Sequence, residues 1–341
     1  MKPPVQSAFR HTRDKYNKRA STDVSCLKPF AMPPSSVITR RAAIAALSAA
    51  AAAAQSSPSL HPVHFGGPIF LKSDDPAELA REHRRLGYSA AYCPEAHAND
   101  QVRVKAIRDA FAAHNVVIAE VGAWKNLLDP DSAKRAENQR YVSDRLALAE
   151  AVEARCCVDI AGSFDPKIWF GPNPKNLSVE FFDATVENCR RIIDEVKPTR
   201  TKFTIEMMPW SLPDGPESYL KLIKAVDRKA FAVHLDVCNI INSPSRFYEN
   251  TKVISECFRL LGPWISSCHA KDLQWAIEYN IHFVEVGPGR GSIDYRTYLT
   301  EVARLGHQPP LMLEHLKTPA EYDDARAYVQ RLAKEIHVVL A

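Results

Sequence analysis

From residue 60 onward the sequence predicts an α/β protein, a single (β/α)8 barrel, and three observations predict it. Short runs rich in Val, Ile and Phe alternate with segments of helical period that open on Asp, Ser or Pro. That is the pattern of βαβ units whose parallel strands are buried on both faces. Eight such runs fit in about 280 residues, matching a barrel in number and in size. The first strand-to-helix connection, "HFGGPIF", is no GxGxxG, so it does not carry the glycine-rich turn that ordinarily opens a doubly wound sheet.

Taken in chain order, the first 59 residues read as a targeting segment that does not join the fold. "TRRAAIAALSAAAAAAQSSPS" (39–59) has paired arginines, Arg40 and Arg41, an Ala-rich stretch from Ala42 to Ala54, and a polar tail. Twin arginines ahead of a weakly apolar segment and small residues resemble a bacterial twin-arginine export signal, with an A-x-A cleavage pattern near Ala54. Met32 stands at the spacing from the arginines expected of a start, so the signal segment is placed at 32–59. Residues 1–31, polar and patternless, read as a mis-called, disordered extension ahead of it. The Ala-rich stretch is too short and too weakly apolar to span a bilayer. A periplasmic or secreted protein is implied, and a cytoplasmic one if the leader is not a signal.

The barrel segment, 60–341, opens with four strand candidates: "VHFGGPIFL" (63–71), "SAAYCPE" (89–95), "VVIAEVGAW" (116–124) and "CCVDIAGSF" (156–164). Four more follow, "FTIEMMPW" (203–210), "FAVHLDVCN" (231–239), "WISSCHAKD" (264–272) and "LMLEHL" (311–316). Helices fit between them. "DDPAELAREHRRLG" (74–87) has Asp75 to cap ahead of Pro76, and "SVEFFDATVENCRRIIDEV" (178–196) is apolar at helical spacing.

Composition excludes several classes. The chain of 341 residues is 46% hydrophobic and 25% charged, enough to bury a large core. Its net charge of +4 is unevenly placed: residues 1–54 hold nine basic and two acidic residues, leaving 35 basic against 38 acidic in the remainder. A mildly acidic body lacks the electrostatic footprint of a nucleic-acid binder. Eight cysteines occur with no CxxC, and Cys93, Cys156, Cys157, Cys238 and Cys268 sit in apolar runs. They read as small buried hydrophobes and not as a disulfide framework.

The chemistry is concentrated in the later half. "WISSCHAKDL" (264–273) opens as a buried strand and closes with His269, Lys271 and Asp272. Barrel enzymes collect their chemistry where strands end, and the last polar groups of the four late strands are Glu206, Asp236, His269 and Glu314. Adjacent strands would bring these side chains together, and three packed carboxylates resist ionisation unless a cation offsets them. Three oxygen donors with one imidazole suit a single divalent ion, Mn²⁺ or Mg²⁺ foremost, with Co²⁺ or Zn²⁺ as alternatives. The competing reading is a buried ion-pair network.

"TIEMMPW", "HLDVCN", "CHAKD" and "MLEHL", with "GPGRGSIDY" between the last two, resemble the xylose isomerase-like barrel family of sugar isomerases and epimerases over nearly all of 62–341. The resemblance implies that Glu206, Asp236, His269 and Glu314 are the ligands of one metal ion, and that Glu206 and Glu314 also serve as the acid/base pair. A divalent ion that polarises a carbonyl acidifies the neighbouring C–H. One carboxylate then removes the proton, and the enediolate is stabilised electrostatically. A proton returned from the opposite face inverts the centre, and one returned to the next carbon isomerises it. Two positions depart from ketohexose 3-epimerases: Asn239 stands where they have a histidine, and Glu285 where they have an arginine. Both departures argue against a simple ketohexose epimerase. The HxKD form also resembles inosose dehydratases and C-glycoside-cleaving enzymes, in which a group is expelled after proton abstraction. Lys271 is then a candidate to neutralise an enolate or protonate a leaving oxygen, the alternative being a pairing with Asp272.

Other rim residues complete the expectation. His97, in "YCPEAHAND" (92–100), is a candidate catalytic contact. Trp124 and Trp210 end strands three and five, where aromatic walls stack on sugars. Asn239 and Arg290 are candidate substrate contacts. His315 is left out, because strand alternation after Glu314 turns it away from the barrel interior. An exported enzyme meets few phosphorylated sugars, so the expected partner is an unphosphorylated sugar or glycoside. No nucleic-acid partner and no stable membrane span are expected, and a homo-oligomer is compatible with the reading. Two other classes compete. A repair endonuclease of this barrel type would need further histidine ligands on the early strands and a basic groove. A non-catalytic sugar-binding protein would have no need of all four ligand-type residues.

Overall fold

The computed structural model describes residues 59–341. The export-type signal and the extension before it lie outside the described residues. Eight parallel strands close into a barrel: β1 (Phe65–Gly66), β2 (Ala90–Tyr92), β3 (Val117–Gly122), β4 (Cys156–Ile160), β5 (Lys202–Glu206), β6 (Phe231–Asp236), β7 (Ile265–Ala270) and β10 (Leu311–Leu313). Seven fall inside the runs picked out from the sequence and β5 starts one residue ahead of its run, at Lys202; each is shorter than its run. β1 is the extreme case. A Cβ on Gly66 would stand 2.2 Å from the Ala90 carbonyl oxygen, so the close approach of β1 to β2 depends on glycine. Pairing ends before Pro68, which has no N–H to give.

Helices alternate with the strands as expected. α1 (Pro76–Arg85) starts at Asp75, whose carboxylate accepts the Ala77 N–H, with Pro76 at the first helical position. α2 (Gln101–Ala113) and α3 (Ser132–Val152) are capped by Asp100 and Asp131. α4 (Val179–Val196) is capped by Ser178 and buries Phe181, Val186, Cys189, Ile192 and Ile193, spaced to share one helical face. α5 (Pro216–Val226), α6 (Pro244–Tyr248), α7 (Asn250–Leu261), α8 (Tyr295–Arg304) and α9 (Pro319–Glu335) complete the outer layer. None of the described helices is long and apolar enough to cross a membrane. The seven described cysteines are free thiols and all but Cys93 are buried.

Two features were not anticipated. Between β7 and β10 the chain leaves the barrel as an antiparallel hairpin, β8 (Asp272–Ala276) and β9 (His282–Val286). Near its turn it is anchored by an aromatic cluster, in which Phe283 stacks on Phe247 at 5.0 Å and Trp275 meets both rings edge-on. The second feature is a pair of register skips. Along β2–β3 the partner of Ala91 is Ile118 and that of Tyr92 is Glu120, so Ala119 is skipped. Along β6–β7, Val233 pairs with Ile265 and His234 with Ser267, so Ser266 is skipped. A skipped residue reverses which face the rest of the strand presents.

Candidate active site

The register of the late strands assembles the site. Asp236 pairs with His269, and His269 with Met312. Glu314 lies two residues beyond Met312 and continues its face, while Glu206 closes β5 opposite His234. The four side chains therefore converge at the carboxyl end of the barrel. His269 Nδ1 stands 2.9 Å from Glu314 Oε2, 3.2 Å from Glu206 Oε1 and 3.8 Å from Asp236 Oδ2. One ligand atom from each residue lies within 4.8 Å of all the others. Neighbouring ligands on an octahedral ion with bonds of about 2.1 Å stand about 3 Å apart, so this spacing is that of a coordination shell.

Charge and hydrogen bonding test the fit. Glu206, Asp236 and His269 are buried. Buried Lys271 places Nζ 2.7 Å from Asp236 Oδ2, 3.0 Å from Glu285 Oε1 and 3.3 Å from Glu314 Oε2. One lysine thus faces several carboxylates that burial alone would force to protonate. Asp236 Oδ2 and Glu314 Oε2 are held by charge, by Lys271 at 2.7 Å and by His269 Nδ1 at 2.9 Å, without well-aligned hydrogen bonds, so both oxygens keep lone pairs that a cation could use. Asp236 Oδ1 is occupied, accepting the N–H groups of Cys238 and Asn239. The donor set fits one divalent cation.

The titrations follow the same balance. Burial pushes the Asp236 carboxyl up, but Lys271 and His269 outweigh it and hold it far below the usual carboxylate range. Glu314 is drawn down to about 2 against its own burial, chiefly by His269. Burial pulls His269 and Lys271 down, yet the surrounding carboxylates leave both well above their ordinary values.

Beneath the four lies a layer that the sequence reading passed over. Glu120, fully buried on β3, faces His269 Nε2 at 3.2 Å through Oε2 and His234 Nε2 at 2.9 Å through Oε1. Ser267 also donates to Oε1. Glu120, His234 and His269 bring one ligand atom each within 4.8 Å of one another. Both imidazole nitrogens that point at Glu120 do so at hydrogen-bond distance, which makes Glu120 a hydrogen-bond acceptor beneath the site. The skip at Ala119 is what turns it inward.

Above the cluster opens a cavity of about 920 Å³, lined by Glu206, Lys271, Glu285, Glu314 and Asn239 at its polar end. Trp124 and Trp210 line it, and so do Trp169 and Phe170 from the loop after β4, which the sequence reading did not single out. Asn239 donates to Glu206 Oε1 at 3.0 Å and accepts from Lys271 Nζ at 3.2 Å. Lys271 does not pair with Asp272. The Asp272 carboxylate instead accepts the N–H groups of Gly289, Gly291 and Ile293 and pins the "GPGRGSI" loop. Arg290 is turned outward to Asp324 at 2.9 Å and borders a smaller adjoining cavity of about 300 Å³. His97 is exposed in the loop after β2 and lines neither cavity.

His315 corrects the expectation from alternation. Its backbone is left-handed, with φ of 59°, so the strand rule no longer applies to its side chain. It lines the cavity, with Nδ1 3.1 Å from Glu285 Oε2 and 3.5 Å from Lys271 Nζ.

Comparison with known proteins agrees with this architecture. Residues 78–332 match the family model described as xylose isomerase-like TIM barrel. Among solved structures, 3-keto-D-glucoside 4-epimerase from E. coli superposes with a TM-score of 0.59 at 11% identity, covering 80% of this chain and 99% of that one. A probable 3-DHS dehydratase from Bacillus anthracis gives 0.58 at 16% identity, covering 80% and 98%. Endonuclease IV from Thermus thermophilus gives 0.59 at 14% identity, covering 80% and 100%. At these identities the likeness is one of fold. No curated protein matches. The chain belongs to the xylose isomerase-like TIM barrel family.

Proposed function

We propose that this member of the family is a divalent-metal-dependent isomerase or epimerase that acts by proton abstraction on an unphosphorylated sugar or sugar derivative. The observation that carries the reading is the convergence of Glu206, Asp236, His269 and Glu314, three carboxylates and an imidazole within 4.8 Å of one another, at the floor of a cavity large enough for a carbohydrate. These four residues would hold the ion, and their oxygen-rich set suits Mn²⁺ or Mg²⁺. Bound there, the ion supplies Lewis-acid polarisation of a substrate carbonyl.

The chain's own residues supply the rest. Glu206 and Glu314 reach the site from β5 and from beyond β10, so each can present a carboxylate to a different side of a substrate and move one proton. Asn239 fixes Glu206 Oε1 and Lys271 Nζ in one hydrogen-bonded chain. Lys271, charged and buried, offers N–H groups to oxygen that gains negative charge.

Lys271 also favours a second reading, a lyase of the same family. An ammonium this close to the reacting end can hand a proton to a departing oxygen. Against an endonuclease, no histidine from β1–β4 joins either cluster of ligand-type side chains among the described residues. Export through the twin-arginine-type leader belongs to the same proposal and is tested by sequencing the N-terminus of the exported protein, where a start at Met1 would refute it.

The decisive experiment uses Glu206→Gln and Glu314→Gln, incubated with Mn²⁺ and a panel of sugars and glycosides in D₂O. Both should keep some metal through the amide oxygen and lose about 10²–10⁴-fold in turnover. Loss of the abstracting base should also abolish deuterium uptake at carbon. Near wild-type turnover in both variants would refute the assignment. Release of water or a fragment with the same deuterium uptake would select the lyase.

A further inference from the structure

The cavity has two chemically different halves, and the proposed function uses only one. Away from the carboxylates the wall is made by Trp124, Trp169, Phe170, Trp210 and Phe283. Trp124, Trp169 and Phe170 keep 37%, 36% and 40% of their surface exposed, far more than aromatics that serve a core. A volume of about 920 Å³ lies near the upper end of the roughly 300–1,000 Å³ of sites for drug-sized ligands, more than a single sugar ring fills.

This wall is held in place by specific contacts. Trp124 adopts a φ of 45°, an outlier for a bulky residue and a conformation that the surroundings must enforce. Its indole lies across Gly122, where a Cβ would stand 2.3 Å from Nε1. The next residue is pinned by the Lys125 N–H donating to buried Asp159 Oδ1. The loop carrying Trp169 and Phe170 hangs on a buried polar knot. Ser163 Oγ and Asn176 Nδ2 both donate to the Gly171 carbonyl, and Asn126 Nδ2 donates to the Ser163 carbonyl. Trp210 Nε1 donates to the Phe170 carbonyl at 2.6 Å, which ties the two walls together.

Polar handles are few in this half, and some of them are already engaged. The Trp210 N–H is used on Phe170, and Asn242 donates to the Pro209 carbonyl while accepting from Arg246. A second sugar ring, with several hydroxyls, would find only the indole N–H groups of Trp124 and Trp169 and the His282 ring without a hydrogen-bond partner, and would leave most of its hydroxyls unpaired, at a cost. A flat apolar group would lose nothing and would meet aromatic faces on several sides.

We propose that the substrate is a glycoside whose non-sugar part is an aromatic ring, with the sugar at the carboxylate end and the ring held between Trp124, Trp169, Phe170 and Trp210. This rests on the carbohydrate reading of the carboxylate end. The test is equilibrium binding to the full chain, read by tryptophan fluorescence and calorimetry without turnover. The probes are phenyl β-D-glucopyranoside, methyl β-D-glucopyranoside and cellobiose, with phenyl galactoside and phenyl xyloside to vary the sugar. The phenyl glycoside of at least one sugar should bind about tenfold more tightly than its methyl counterpart and than cellobiose. In Trp169→Ala that ratio should collapse towards one, and in Trp169→Phe it should largely return, with melting temperatures confirming both folds. Equal affinity for phenyl and methyl glycosides, tighter binding of cellobiose, no binding of any phenyl glycoside, or an unchanged ratio in Trp169→Ala would each overturn the proposal. Metal content and deuterium uptake are measured in parallel. Their absence beside a clear phenyl preference would refute the metal-dependent reading and leave the aromatic subsite standing; their presence without that preference would do the reverse.

Discussion

Replacing Glu120 with glutamine tests whether the buried layer beneath the four ligand-type residues orients His269. In the wild type, His269 is held between carboxylates at both ring nitrogens: Glu120 Oε2 at 3.2 Å from Nε2, and Glu314 Oε2 at 2.9 Å from Nδ1. A neutral imidazole has one proton. An acceptor at Nε2 keeps it there and leaves the Nδ1 lone pair free, so that it could hold an ion. Glutamine offers one oxygen where two are used, since His234 and Ser267 occupy Oε1. If the amide nitrogen turns to His269, the proton moves to Nδ1 and blocks coordination. If the oxygen does, His234 and Ser267 lose their acceptor. The loss of such a partner typically weakens metal binding about 10–100-fold, or about 1.4–2.7 kcal/mol. Leaving a buried donor unpaired costs about 1–3 kcal/mol of stability. Chelator-competition titration with Mn²⁺ reads the first quantity, and ¹⁵N chemical shifts of the histidine rings read the tautomer. Ser267→Ala, which removes a hydrogen bond to Glu120 without touching His269, should lower stability with a smaller effect on metal affinity. Glu120→Gln binding Mn²⁺ within about threefold of wild type, with His269 still protonated at Nε2, would refute the reasoning.

Three further outcomes follow from the same geometry. Elemental analysis should find about one divalent ion per chain, lost in His269→Ala; full metal content in that variant would remove His269 from the ligand set. Metal binding should release protons and strengthen as pH rises, because His269 must give up the proton that Glu314 and Glu120 favour in the metal-free protein, against the opposing effect of burial; equal affinity at pH 6 and pH 8 would refute that role. Away from the site, Glu150 accepts the backbone N–H groups of Thr199, Arg200 and Thr201. These hold it at about 2 against the raising effect of burial. Its contribution is therefore present above the unfolded value near 4 and lost as pH falls towards 2. Discounted for partial solvent screening, it amounts to about 1 kcal/mol, and Glu150→Gln should lose stability at pH 7 but little at pH 2 in thermal melts.

The fold was legible because barrel strands carry their burial in composition. β4 and β6 are buried along their whole length, and the runs around them contain few polar residues to confuse the period. Caps at Asp75 and Ser178 were equally local signals, each a short side chain ahead of a helix-period run. The hairpin β8–β9 was not legible. Its two strands are amphipathic, partly exposed and held by aromatic contacts to Phe247 on α6. That partner lies about 30 residues upstream, a separation that no short window spans.

In the site, the readable residues were those at strand ends. Glu206 and Asp236 close their strands, and Glu314 directly follows its own, so knowing where a hydrophobic run stops was enough to place them. Glu120 and His315 failed for one shared reason: both depend on a local break in the period of two. Glu120 is turned into the barrel by the skip at Ala119, and His315 is turned into the cavity by a left-handed backbone. Neither break has a glycine or proline to announce it. The same holds for Trp124, which the sequence named as a strand-end aromatic without its strained conformation. Departures from regular geometry without a permissive residue must be enforced by their surroundings, and here three of them surround one site. That clustering is what a site under selection for side-chain direction produces, and under the proposed function the irregular residues would set specificity while the strand ends would supply the reactive groups.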